Sequence, residues 1–368
     1  MKKVVFGITS LGLGGAERVL VDIANEICDK YDVTIFALYG NGEFESQLNS
    51  KVKFVSVYDK KYNELSFIER KFISLKMICS SLRKKIYDKY IKNKFDVEVA
   101  FLEGPMTWIM SYESKARKVA WVHNDIEDVF GKDKGVSLKQ KMNKECYDKY
   151  NSLVFVSNDN LKKFENYFPN NESDKRVIYN YLNEKIVKDK AKEFKVAEID
   201  SKVPSFVQVS RLVEQKAVMR LVSVHSALIK DGYKHNIYIV GDGPLKEDIQ
   251  NKINELGIQD SFILLGKRRN PYPYINKGDY FMLTSYYEGY PMVLLEAKAL
   301  NKYIMITDSA ARETLIGYED SLITENSENG IYDGIKKILK DKPKASKNSS
   351  GMNDIILEDI VNVLEGEL

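Results

Sequence analysis

The sequence is short of several things that would have pointed in definite directions. It holds only three cysteines, Cys28, Cys79 and Cys146, with no Cys-x-x-Cys pair. That spacing argues against a disulfide framework or a zinc site and fits a reducing compartment. No Asp-x-Asp pair occurs anywhere, so nothing suggests an acidic metal clamp, and no metal is expected. No apolar run approaches the roughly 18 residues of a membrane span. The opening Met-Lys-Lys-Val-Val-Phe-Gly-Ile has too brief an apolar stretch for a secretory signal and reads as a buried first strand. The protein is therefore expected in the cytoplasm. Net charge is only +3, which removes bulk basicity as a reason to expect nucleic acid. The basic residues are nevertheless uneven, with eleven against three acidic ones between Lys60 and Lys94.

With 44% hydrophobic and 30% charged residues, the composition is that of a globular protein. A chain of 368 residues exceeds one ordinary core, so two domains are expected. The pattern along the chain agrees. Val4–Thr9 is apolar, Gly12-Leu13-Gly14-Gly15 forms a turn, and Val19, Leu20, Ile23, Ala24 and Ile27 follow at helical spacing. A second apolar run, Val33–Leu38, completes a strand–turn–helix–strand opening. Strand-like segments continue at 52–57, 97–102, 118–122 and 153–156. The alternation then restarts at Ser205–Ser210, with further strands at 236–240, 262–265, 280–283 and 303–306. We therefore expect an α/β protein with an N-terminal Rossmann-like domain over 1–185 and a C-terminal one over 203–345. The two would face a central cleft at the carboxyl ends of their sheets, where such sheets bind ligands. The stretch 183–202, rich in Lys, Glu and Asp, reads as a surface linker. The tail 342–351 reads as loose, and 354–368 as a helix for which the first domain offers a packing surface.

Four constellations carry chemistry. The turn around Gly14 and Gly15 lets backbone amides at a helix start approach an anion, and serves equally as a plain connection. Arg211 and Lys216, five residues apart after a strand, pair a planar fork with a compact cation, both suited to a diphosphate. Gly241 lies in a second glycine turn, Val240-Gly241-Asp242-Gly243-Pro244. Finally, Glu288-Gly289-Tyr290-Pro291-Met292-Val293-Leu294-Leu295-Glu296-Ala297 sets one glutamate on a loop and another inside the following helix. A helix N-terminus stands between them.

Taken together, GGAER, SRLxxxK, VGDGP and EGYPMVLLEA, in this order along nearly the whole chain, resemble glycosyltransferase family 4. The resemblance implies the GT-B fold and a reaction that retains anomeric configuration. It implies transfer of a hexose or N-acetylhexosamine from a nucleotide-diphosphate sugar, UDP-linked for preference, with no cofactor beyond that donor. The acceptor implied is a lipid-linked saccharide or glycan of a bacterial surface polysaccharide. By the same resemblance Gly14, Gly15 and Gly241 approach the ligand, and Arg211 and Lys216 neutralise the diphosphate. Glu288, with Gly289, Tyr290 and Pro291, meets the sugar, Glu296 binds the ribose, and His123 faces the sugar. Asn180 matches an asparagine before the interdomain crossing. The chain departs from the family at Ala217, Asn301 and Tyr303, and at Ser309-Ala310-Ala311, where glycine or proline is usual. A non-catalytic GT-B subunit and a nucleotide-dependent epimerase or oxidoreductase stand as alternatives. The basic stretch 60–94, with apolar residues interleaved, suggests a helix on anionic lipid at the inner membrane face, or equally a core helix with a solvated cationic side.

Overall fold

A computed structural model of the chain describes residues 1–124, 126, 129, 138–346 and 352–367. Half of the expected loose tail, 347–351, lies outside the described residues. The chain divides into two compact units, Met1–Tyr181 with Gly351–Leu368, and Leu182–Ser350.

The first unit is built on seven parallel strands in the order β3-β2-β1-β4-β5-β6-β7. These are β1 (Lys3–Ile8), β2 (Asp32–Tyr39), β3 (Lys53–Tyr58), β4 (Val97–Ala100), β5 (Arg117–Val122), β6 (Ser152–Phe155) and β7 (Asp174–Val177). The order reverses beside β1, which pairs with both β2 and β4. The continuous apolar runs found in the sequence are strands covered on both faces, as a parallel sheet requires. Val4, Val5 and Phe6 are fully buried. The helix Gly15–Ile27 closes over them with Val19, Leu20, Ile23, Ala24 and Ile27.

The second unit repeats the plan with six parallel strands ordered β10-β9-β8-β11-β12-β13. They are β8 (Ser205–Val209), β9 (Asn236–Val240), β10 (Phe262–Gly266), β11 (Tyr280–Leu283), β12 (Tyr303–Thr307) and β13 (Ser321–Thr324). Here the order reverses beside β8.

The stretch expected to be a surface linker is not one. Residues Glu184–Lys190 are helical, and Val187, Val196 and Ile199 are buried within the second unit. Asn270 Nδ2 donates to Lys190 O (2.9 Å) and Asp200 N donates to Tyr238 Oη (3.1 Å), tying the segment down. Its charged residues are the solvated side of a packed segment.

The final helix, Met352–Glu365, belongs to the first unit. Ile360, Val363 and Leu364 are buried, Arg117 Nε donates to Val363 O (2.8 Å), and Tyr31 Oη donates to Glu365 Oε1 (2.6 Å). Among the described residues no helix is long and apolar enough to cross a membrane.

Candidate active site

Open parallel sheets bind ligands where the strand order reverses. In the second unit that point is flanked by the loops leaving β8 and β11. Residues 210–217 form the first loop and 284–291 the second. They are bonded to each other: Tyr286 N donates to Gln215 O (2.9 Å), and Gln215 Nε2 donates to Tyr287 O (3.0 Å).

This stitching brings Lys216 and Glu288 together across 72 residues of sequence, with Lys216 Nζ 2.5 Å from Glu288 Oε1. Ser285 Oγ donates to the same oxygen, also at 2.5 Å. The pair is largely buried, with side-chain exposures of 15% and 7%. One carboxylate oxygen is thus clamped by two donors, and Oε2 has no protein partner among the described residues. Arg211 is exposed, and its guanidinium makes no ion pair among the described residues. A cation that is not neutralised at a switch point is placed to meet an anion.

Glycine-rich Gly241–Pro244 packs closely on the loop that carries Arg211. Gly241 has φ +155°, and a Cβ there would lie 1.8 Å from Ser210 O; one on Gly243 would lie 2.4 Å from Leu212 O. Leu212 N donates to Asp242 O (2.9 Å), and Leu245 N donates back to Leu212 O (3.1 Å). The glycines allow this turn to press against the Arg211 loop.

Gly289, Tyr290 and Pro291 lead directly into the helix Met292–Ala299, whose first-turn amides have no side-chain cap. Glu296, partly buried on that helix, accepts from Tyr272 Oη at 3.1 Å. Asn301 has φ +51°, and Asn301 N→Lys298 O (2.9 Å) with Lys302 N→Ala297 O (3.1 Å) closes the helix. This is the left-handed termination that glycine usually supplies and asparagine tolerates. The departure at Asn301 is therefore conservative. Ala217, at φ +51° beside Lys216, carries no such compensation. Ser309-Ala310-Ala311 opens a short 3-10 turn, Ala310–Leu315, braced by an Arg312–Asp308 ion pair of 2.9 Å.

Three residues that support these loops escaped sequence reasoning. Gln208, fully buried in β8, accepts at Oε1 from Thr284 N (3.3 Å) and Thr284 Oγ1 (3.2 Å). Arg220 donates to Thr284 O (2.9 Å) and Asn326 Oδ1 (2.8 Å), and lies 4.4 Å over the Tyr286 ring. Asn326 Nδ2 donates to Tyr286 O (2.8 Å) and Asp308 O (3.1 Å). The one available signal was a glutamine in the middle of an apolar strand, Ser205-Phe206-Val207-Gln208-Val209.

In the first unit, Gly14 precedes the helix Gly15–Ile27 with extended backbone, and a Cβ there would lie 2.0 Å from Glu17 Oε2. The Glu17 carboxylate, in the helix's first turn, occupies that space, while Gly15 is exposed. Arg18 of the same motif is buried: it pairs with Asp22 (2.9 Å) and donates to Gln47 Oε1 (2.7 Å). Its role is structural. Asn180 is buried too, at 6% exposure.

His123, just past β5, packs its ring 4.7 Å from that of Phe101, and its Nε2 is sealed from solvent with no hydrogen-bond partner among the described residues. Burial pushes its pKa down to about 3, so the imidazole is neutral near pH 7. The loop carrying it is held by Glu103, which sequence reasoning passed over. Asn124 N and Asn124 Nδ2 each donate to one Glu103 oxygen at 2.8 Å. Glu103 is only 6% exposed, and burial raises its pKa despite these donors. Asp125, next in the chain, lies outside the described residues.

Residues 189–351 match the family model for glycosyl transferases group 1. Among curated relatives, a Campylobacter jejuni N-acetylgalactosamine-N,N'-diacetylbacillosaminyl-diphospho-undecaprenol 4-alpha-N-acetylgalactosaminyltransferase is 28% identical, covering 95% of this chain and 94% of that one. The capsular polysaccharide biosynthesis glycosyltransferase CapH of Staphylococcus aureus is 24% identical over 96% of each. Among solved structures, Anabaena HepE in complex with UDP superposes with a TM-score of 0.73 at 16% identity, covering 100% of this chain and 98% of that one. That likeness shows the fold, GT-B, which has two parallel-sheet units.

Proposed function

We propose that the chain is a group 1 glycosyltransferase that moves a hexose or N-acetylhexosamine from a UDP-linked donor to a lipid-linked saccharide, with retention of configuration. The observation that carries this reading is the Lys216–Glu288 pair at the second unit's switch point, with Arg211 on the same loop as Lys216. The names of two Campylobacter jejuni relatives specify undecaprenol-diphosphate-linked acceptors and an N-acetylgalactosaminyl group, and CapH supports a surface-polysaccharide context.

Breaking the donor's glycosidic bond builds negative charge on the β-phosphate oxygen. Arg211, Lys216 and the uncapped amides of the helix Met292–Ala299 stabilise that charge, a contribution felt only as the bond breaks. Glu288 holds the sugar through its unclamped oxygen, and Lys216 couples the sugar-side acid to the phosphate side. Glu296 takes the ribose hydroxyls, with Tyr272 fixing its carboxylate. His123 presents a neutral imidazole to the sugar. The acceptor's lipid tail implies work at the inner face of a membrane, with contact through part of 60–94.

The test is incubation of purified protein with a panel of nucleotide sugars and a polyprenyl-diphosphate-linked saccharide, the product's anomeric configuration being read by NMR. Transfer from a UDP-sugar, lost in Glu288→Gln, is the expected result. Stabilisation by NAD instead, with no nucleotide sugar turned over, overturns it in favour of an oxidoreductase or epimerase.

A further inference from the structure

The helix Phe67–Ile78 has two apolar faces. At about 100° per residue, Ile73 and Met77 fall together, and both are buried in the core with Leu65 and Tyr87. Phe67, Ile68, Phe72, Leu75 and Ile78 fall on the opposite side, and they are 80%, 78%, 58%, 57% and 67% exposed. These five are a third of the fifteen large apolar side chains that stand exposed among the described residues. Isolated exposed apolar residues need no explanation, but a concentration on one face does.

The helix is also firmly started. Ser66 Oγ accepts from Glu69 N (3.3 Å), and Glu69 Oε2 accepts from Ser66 N (2.7 Å). A capping box of this kind makes the helix a built element rather than a fraying one.

Cations border the exposed face. Lys71 lies within the apolar arc and makes no ion pair among the described residues. Lys76 sits at its edge, 4.6 Å over the Phe72 ring. Arg70 lies 4.9 Å over Tyr62. One of the two nearby acids, Glu69, is met by Lys60 at 3.4 Å, and the other, Glu64, caps Lys61 N. The next helix, Ser80–Tyr90, does not extend the face. Its exposed positions include Ser81, Lys84, Lys85, Asp88 and Lys89, and Asp88 is paired by both Lys84 and Lys92.

We infer that the helix Phe67–Ile78 docks the protein onto an anionic phospholipid bilayer, with Phe67, Ile68, Phe72, Leu75 and Ile78 entering the acyl–headgroup boundary and Lys71 and Lys76 meeting lipid phosphates. An apolar strip bordered by cations matches that boundary in both polarity and charge. A second copy of the chain fits worse, because two such faces would press Lys71 and Lys76 against their own counterparts. The inference deepens the proposed reading, on which it rests for its purpose: docking brings the enzyme to a lipid-linked acceptor. It also narrows the contact from 60–94 to one helix.

Co-sedimentation of the full chain with vesicles tests it, comparing pure phosphatidylcholine with a mixture containing about one-third phosphatidylglycerol. The wild type should partition onto the anionic vesicles and release as salt rises. Phe72→Glu/Leu75→Glu should weaken binding about tenfold or more, and Lys71→Glu about fivefold. Tm and donor hydrolysis should be unchanged in both, since these side chains are exposed. Wild-type protein remaining in the supernatant, or equal binding by the double variant, overturns the inference. So does a wild-type dimer that the double variant breaks while no vesicle binding is seen. Donor hydrolysis in the same preparations separates the two readings: vesicle binding without turnover removes the enzyme, and turnover without vesicle binding removes the docking helix.

Discussion

In the first unit the buried charges are turned inward. Lys118 Nζ meets Glu98 Oε2 at 2.5 Å, Tyr87 Oη donates to both Glu98 oxygens at 3.1 Å, and Lys118 also donates to Met110 O at 2.8 Å. Glu98 is fully buried and Lys118 is 5% exposed. The second unit, with the same reversal in strand order, places its most buried ion pair, Lys216–Glu288, in the loops at the carboxyl ends of β8 and β11. One pair sits where a sheet is braced and the other where a sheet is open. The same chemistry of pairing is structural in one place and, on the proposed reading, meets a ligand in the other, and position in the topology decides which.

The sharpest way to break that comparison is to remove each pair in turn. Glu288→Gln and Lys216→Met should each lower transfer about 10²- to 10³-fold, the usual loss when a transition-state charge partner goes, with urea unfolding little changed. If either variant unfolds instead, the loop pair is a brace like its counterpart. Glu98→Ala should do the reverse. It strands a buried ammonium, so unfolding free energy should drop by about 3–5 kcal/mol. Donor turnover per folded molecule should persist. Glu98→Gln/Lys118→Met, which removes both charges, should recover part of the loss, since isosteric replacement spares the desolvation.

Histidine extends the contrast. The second unit pairs His225 Nδ1 with His235 Nε2 at 2.9 Å, and His225 Nε2 with Ser261 Oγ at 2.8 Å, so both rings are used internally. Burial lowers their pKa values to about 3 and about 4. The unfolded chain, with ordinary values near 6.5, then binds more protons than the folded one. Stability present in full above about pH 6.5 is therefore lost as pH falls toward 4. A decrease of about 5 °C in Tm between pH 7 and pH 5 is expected, and it should be smaller in His225→Gln/His235→Gln. His123 is neutral for the same physical reason, so the pH–rate profile should show no histidine inflection near 6.5.

Legibility followed the same division. All strands but β7 and β13 could be read because parallel strands buried on both faces leave unbroken apolar runs such as Val4–Ile8 and Ile237–Val240; β7 and β13, the half-buried edge strands Asp174–Val177 and Ser321–Thr324, carry no such run and were missed. The second unit's site residues could be read because they cluster on loops in short motifs. Their partnership could not, since 72 residues separate Lys216 from Glu288 and only the adjacency of β8 and β11 brings them together. Glu103 was invisible for a similar reason: a lone acid at the end of one strand acquires meaning only from Asn124 at the end of the next. Residues 183–202 were misread because four buried anchors, Val187, Ala191, Val196 and Ile199, are outnumbered by the charged residues around them.

The smallest expected effect concerns the residue next to the loop pair. Ala217 is the N-cap of the helix Val218–Lys230 and sits at φ +51°, ψ +31°, a conformation its Cβ disfavours. Left-handed backbone costs a non-glycine residue about 1 kcal/mol, while glycine adds back about half of that through the freedom it gives the unfolded chain. Ala217→Gly should therefore raise unfolding free energy by about 0.5 kcal/mol, near the limit of a careful urea titration. Asn301 has the same φ of +51°, but asparagine tolerates this conformation and a paired set of backbone bonds closes the helix, so Asn301→Gly should change stability less. If the order is reversed, the strain at Ala217 is being relieved by its neighbours, and the turn that presents Lys216 is more accommodating than its dihedral angles indicate.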